Sequence, residues 1–135
     1  MNPPEWLGIV QGGAPMWQNC LVLFYALLIG HALADFPLQG SFLAMAKDSS
    51  TDLEQATGRA WPRGTWVYCL TMHSLIHGGT VWLLTGSLLF SLIEFVLHWL
   101  IDFAKSNQMT SFYADQALHI LCKAIYVVPL CSAGT

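Results

Sequence analysis

Between Arg63 and Glu94 the chain runs for thirty residues without a Lys, Arg, Asp or Glu, and from Trp17 to Ala34 for eighteen more. Stretches this long and this free of charge restrict the fold more than any other feature. A helix rising 1.5 Å per residue crosses a ~30 Å hydrocarbon core in about 20 residues. Four segments of that kind can be drawn. The first covers about 17-36 and ends because Pro37 denies the residue before it a helical conformation. The second covers about 65-85, with Trp66 and Tyr68 as interfacial anchors. Gly86-Ser87 then makes a tight turn into the third, about 88-103. The fourth covers about 112-130 and is expected to break near its end at Pro129. The third segment is short and holds Glu94 and His98, so it makes a poor span unless both face protein. The expected fold is all-α, a polytopic membrane protein in which a single domain over 1-135 forms a bundle of about four transmembrane helices.

Composition agrees: 55% of residues are hydrophobic and 10% charged, with a mean hydropathy of +0.52, which points to lipid as the solvent. Five basic residues cannot neutralise many phosphates, so no nucleic acid is expected among the partners. Cys20, Cys69, Cys122 and Cys131 form no C-x-x-C pair and read as small hydrophobes. Cys69 and Cys122, near His73 and His119, are a minor soft-ligand alternative. Ala32-Leu33-Ala34 has the look of a cleavage site, yet the first 19 residues lack Lys and Arg. Without a basic n-region the segment is expected to stay in the mature protein.

The one long hydrophilic segment is a loop over about 39-64. Leu38, Phe42, Leu43 and Met45 fall at helical spacing and predict a short interfacial helix, while Asp48-Ser49-Ser50-Thr51-Asp52 reads as loop. Lys47, Arg59 and Arg63 lie in this loop and Lys105 in the third, so both loops are expected on the cytoplasmic side of the cell membrane, with both termini on the other. Lys123, inside the fourth helix, must find a partner or snorkel.

The polar residues inside these apolar segments are not scattered. Every histidine has a His, Asp or Glu four positions away: His31 with Asp35, His73 with His77, Glu94 with His98, His98 with Asp102, and Asp115 with His119. On a helix, positions i and i+4 share a face, the spacing that lets two side chains reach one metal ion. All these pairs fall in the same half of their helices. Convergence from four helices on one layer is what a bundle-core site needs. Hydrogen bonds between helices would be a purely structural explanation, but each charge near mid-bilayer costs about 2.5–3.5 kcal/mol on insertion scales, and Gly, Ala or Ser would pack helices as well.

The expected ligand pool is therefore His31, Asp35, His73, His77, His98, Asp102 and His119, with Asp115 joining it or supporting it. A divalent transition metal, one or two ions, suits this imidazole and carboxylate mixture, with zinc first and Mn or Fe behind it. Glu94, one turn deeper than His98, is the candidate general base. Lys105 follows Asp102 by three residues at headgroup level, where it would meet an anionic lipid group or simply snorkel. Ser74 adjoins His73, but neighbouring helix positions point about 100° apart, which disfavours a Ser-His nucleophile. Gln39 and Gln116 are candidate donors to a substrate oxygen.

The segments His31-Ala-Leu-Ala-Asp35-Phe36-Pro-Leu-Gln39, His73-Ser-Leu-Ile-His77, His98-Trp-Leu-Ile-Asp102-Phe-Ala-Lys105 and Asp115-Gln116-Ala-Leu-His119 together resemble the small bacterial and phage membrane proteins catalogued as domain of unknown function 3307. That resemblance implies a compact helical membrane domain and supplies no reaction; the location expected from the sequence is the cell (inner) membrane. The His-x-x-x-His segment and scattered ligands are more loosely similar to membrane-embedded zinc hydrolases such as the alkaline ceramidases, an analogy of chemistry rather than kinship.

The leading functional expectation is a metal-dependent hydrolase acting at the cytoplasmic face on a lipid or lipid-linked substrate. Two alternatives come from other classes: a proton or metal-ion pathway, and a non-enzymatic membrane effector that binds a partner membrane protein. Membrane lipids are the expected surroundings, and a homo-oligomer is compatible with the sequence.

Overall fold

The computed structural model describes residues 16–132. Among these residues regular structure is entirely helical: α1 Met16–Asp35, α2 Gly40–Ala46, α3 Leu53–Thr57, α4 Thr65–Thr85, α5 Leu88–Ser106 and α6 Phe112–Ser132. The ends of the chain, expected on the outer side, lie outside the described residues.

Local chemistry sets several helix limits. The Asp52 carboxylate accepts from the Gln55 N–H at 3.0 Å and starts α3, satisfying a donor that the first turn leaves free. Between α4 and α5, Gly86 takes the left-handed conformation (φ 68) that ends one helix, and the Ser87 side chain accepts from the Phe90 N–H to open the next. Two residues thus reverse the chain. The expected short helix of the first loop is α2; α3, five residues long, was not expected, because its Leu53 is a lone apolar position with no periodicity around it. Two other expectations are corrected. α5 continues to Ser106, three residues past Phe103, and Asn107 Nδ2 donates to the Phe103 carbonyl at 2.8 Å beyond its end. α6 does not break at Pro129 but runs on to Ser132. A proline this near a helix end forfeits one hydrogen bond, a loss that helices in apolar surroundings tolerate.

α4 packs against α1 and α5, and α6 against α5 and α1, so these four close into a ring; α2 lies against α4. The distribution of polarity is inverted relative to a water-soluble bundle. The buried set holds His31, His73, His77, Glu94, His98, Asp102, Asp115, His119 and Lys123, while Leu33, Leu75, Leu83, Leu92, Val96 and Ile125 are exposed. The polar layer occupies the end of the bundle where the α1–α4 and α5–α6 connections lie. The opposite end is filled by Leu27, Val81 and Val127, with Cys20, Leu23, Phe24, Leu84 and Phe90 packed around them.

Two helices, α1 over Gln18–Asp35 and α6 over Phe112–Cys131, are long and apolar enough to cross a membrane. α4 and α5 are of similar length, but four Thr, two His and two Gly dilute the first, and Glu94, Asp102 and Lys105 charge the second.

Close approach between α4 and α5 depends on Gly78. A Cβ there would lie 2.9 Å from the Ser91 carbonyl oxygen and 3.2 Å from Phe95 Cβ, whereas one on Gly79 would meet nothing within 4 Å. Backbone cannot yield as a side-chain tip can, so Gly78→Ala should cost about 1–3 kcal/mol through overpacking. Gly79→Ala should instead gain about 0.5–1 kcal/mol from helix propensity. Thermal unfolding of the two variants beside the wild type tests the opposite signs.

Candidate metal centre

Asp35, at the last turn of α1, is ringed by imidazoles from two helices. His31, one turn earlier on α1, places Nε2 3.3 Å from Asp35 Oδ2. His73 and His77, one turn apart on α4, place their Nε2 atoms 3.3 Å and 3.1 Å from Oδ1. From α5, His98 Nε2 comes within 3.1 Å of His73 Nε2. Ligand atoms of Asp35, His73, His77 and His98 all lie within 4.8 Å of one another. A tetrahedron of bonds of ~2.0–2.1 Å has edges of roughly 3.3 Å. Three of its edges here, 3.1, 3.1 and 3.3 Å, fit that size. These buried groups could hold a metal ion.

A second group overlaps the first. His98, Asp102 and His119 also converge, with His119 Nε2 3.2 Å from Asp102 Oδ1. The rings of His77, His98 and His119 form a stacked column, with centroids 3.6 Å and 4.2 Å apart. His31 closes the layer, its Nδ1 3.3 Å from His77 Nδ1. The i,i+4 pairs of all four long helices therefore meet in one place.

Three lysines sort the carboxylates. Lys123 Nζ donates to Glu94 Oε1 at 2.5 Å in the deepest part of the layer, answering the question of its partner. Lys47, at the end of α2, donates to Asp102 Oδ2 at 2.6 Å. Lys105 lies 3.7 Å from Asp115 Oδ2 and over the Phe112 ring. Asp35 is the one member of the four with no lysine among the described residues; its neighbours are imidazoles.

Each remaining candidate has a definite place. Glu94 Oε1 lies 3.5 Å from His98 Nδ1, on the opposite side of that ring from Nε2, while Glu94 Oε2 and the nearby Tyr126 Oη are buried without a hydrogen bond. Asp115 lies 3.6 Å from His119 Nε2 and accepts from Gln116 Nε2 at 3.1 Å. Lys105 is partly exposed at the mouth of the layer. Gln39 Oε1 is buried with no hydrogen bond. Ser74 Oγ donates to the Leu70 carbonyl at 2.8 Å, so it is not aimed at His73. Cys69 and Cys122 carry free thiols and join none of the donor groups.

The sequence places Lys47 in the first loop and gives it no contact. No spacing rule could link it to Asp102, 55 positions away. For Lys123 a signal existed, since a cation inside an apolar helix demands a counter-ion, but nothing local named Glu94.

Breaking a buried ion pair strands a charge and costs about 3–5 kcal/mol, whereas replacing both partners with apolar groups is often neutral. Lys123→Met and Glu94→Leu are each expected to destabilise the fold on that scale, and Lys123→Met/Glu94→Leu to recover most of the loss. A double-mutant cycle on unfolding free energies measures it; simple additivity would refute the pairing.

No curated protein and no solved structure matches the chain. The family model described as Protein of unknown function (DUF3307) matches residues 23–133, which include every residue of the centre, and the chain belongs to that family.

Proposed function

We propose that this protein is a membrane-embedded, metal-dependent hydrolase that acts at the cytoplasmic face on a lipid or lipid-linked substrate. The observation that carries the reading is the state of Asp35: a carboxylate among His31, His73 and His77 at 3.1–3.3 Å, without the lysine that each of the other three acids has. A carboxylate facing three imidazoles and no cation is the donor set that suits a divalent transition metal, zinc above all. Asp35, His73, His77 and His98 are the proposed ligands, and His31 orients Asp35 through its other oxygen. A bound zinc would supply an activated water and a Lewis acid.

In this reading Glu94 fixes His98 from behind, with Lys123 holding Glu94 in turn. Asp102, whose Oδ2 lies 3.5 Å from His73 Nε2, is better placed than Glu94 to take a proton at the centre. The membrane setting is supported by the inverted polarity, since α4 and α5 also turn Leu75, Leu83, Leu92 and Val96 outward; all four long helices are proposed to span. Phe36, Leu38 and Phe42 are exposed beside the end of α1 that carries Asp35, where acyl chains would lie alongside the site. The apolar plug of Leu27, Val81 and Val127 at the other end favours a one-sided site over an ion pathway.

Elemental analysis of the purified protein should find a stoichiometric transition metal, and Asp35→Asn or His73→Ala/His77→Ala should lose it while helical content is kept. Wild-type protein with no such metal would remove the basis of the reading. Metal retained by all variants would move the site elsewhere. Release of water-soluble headgroup or free acyl product from mixed-lipid vesicles, abolished by Asp35→Asn, tests the hydrolase itself.

A further inference from the structure

Three donor groups share His98: Asp35, His73, His77 and His98; His98, Asp102 and His119; and His31, His77, Glu94 and His98, whose Glu94 is already held by Lys123. Overlap of this kind is how paired metal sites are built, with ions about 3.5–4 Å apart. The second group, however, already holds a cation. Lys47 Nζ sits 2.6 Å from Asp102 Oδ2, and that same oxygen lies 3.5 Å from His73 Nε2 and 3.8 Å from His98 Nε2. Oδ1 of the same carboxylate faces His119 Nε2 at 3.2 Å, so a second ion in this group would have to share the Asp102 carboxylate with the ammonium.

We propose that the ammonium group of Lys47 takes the place of a second metal ion, so that the centre binds one divalent ion beside one tethered ammonium. This inference rests on the metal reading given above and sets its stoichiometry.

Placement supports it first. Lys47 caps α2 through its backbone N–H, which donates to the Leu43 carbonyl, while the next N–H, of Asp48, donates to the Met45 carbonyl, and Ala46 beside it is fully buried. The lysine is thus delivered from an anchored helix end, and its side chain is only 13% exposed. A long flexible cation held this far from solvent is not an ordinary surface lysine, whose head would stay in water.

Charge supports it second. Asp35, Glu94, Asp102 and Asp115 face Lys47, Lys105 and Lys123, which leaves one negative charge in the layer when the imidazoles are neutral. One divalent ion turns that into one positive charge. A second would leave three, packed within a few ångströms in a medium that screens poorly. Exchanging Lys47 for the second ion would remove one of those charges and free the Asp102 oxygen together.

The test is the number of ions per chain. Full-length wild type, Lys47→Met, Lys47→Arg and Asp102→Asn are each equilibrated with excess zinc, freed of unbound metal and analysed for zinc per protein, with circular dichroism as the check on folding. Wild type and Lys47→Arg should hold one ion, and Lys47→Met should hold two, a doubling. Asp102→Asn should still hold one, because the first site does not use that residue. Two ions in the wild type, or one in folded Lys47→Met, would overturn the proposal, as would zero in folded Asp102→Asn. Should Lys47→Met not fold, the wild-type and Asp102→Asn counts decide alone. Zinc absent from the wild type as well would overturn the metal reading and this one with it, an outcome distinct from a wrong count.

Discussion

A polar group taken out of water must be given back what water supplied, and in this protein five imidazoles and four carboxylates are removed from it together. An unpaired buried charge is far more costly than a missing hydrophobic contact. The architecture answers that demand. Each long helix contributes its polar residues one turn apart, on the face turned toward its neighbours, and apolar side chains cover the outside. With so few buried apolar side chains among the described residues, and only Leu27, Val81 and Val127 of them clustered at the far end, the polar layer cannot be an ornament on a hydrophobic core. It is half of the core.

Within the layer the carboxylates are not equivalent, and the lysines make the distinction. Glu94, Asp102 and Asp115 each have an ammonium group within 4 Å, whereas Asp35 has only rings. Two of these lysines come from places where a snorkelling cation would be unremarkable: the end of a short loop helix and the last turn of α5. The third, Lys123, is buried to 1% exposure and is tied to the acid behind His98. The three cations thus compensate the edges of the layer and leave its middle electron-rich. The proposed metal ion belongs in that middle for the same reason that the lysines belong around it.

The sequence was legible where its information is local. Charge-free runs located the four long helices, α4 at Thr65–Thr85 among them, and the one-turn spacing of His31/Asp35, His73/His77, His98/Asp102 and Asp115/His119 identified the layer. It was silent where the information is tertiary. Lys47 and Asp102 are 55 positions apart, Glu94 and Lys123 are 29, and no periodicity connects them. Pro129 misled because the rule against helix-interior proline weighs a lost hydrogen bond, and near the end of α6 little remains to be lost. The depth of Glu94 suggests a base; that it meets His98 at Nδ1 rather than Nε2 depends on the rotamers of two α5 side chains and on the pairing of Glu94 with Lys123 of α6, which the sequence does not encode locally.

The spacing of the helices and the chemistry of the layer have a common origin. Gly30 precedes His31, and a Cβ on it would fall 2.5 Å from Thr80 Cγ2 on α4; Gly78 follows His77, and a Cβ on it would fall 2.9 Å from the α5 backbone. At both positions the missing side chain lets two helices approach more closely than ordinary residues allow, one position from an imidazole of the layer. Small residues do this in many apolar bundles simply to gain packing. Here the same approach sets the separations between His31 and His77 and between His73 and His98, 3.3 Å and 3.1 Å. Pushing α4 from α5 by the width of a methyl group would stretch the His73–His98 contact beyond the edge of a zinc tetrahedron, and pushing α1 from α4 would do the same to the contacts of Asp35 with His73 and His77. The glycines are therefore as much part of the candidate centre as its nitrogen and oxygen atoms, although they bear no ligand.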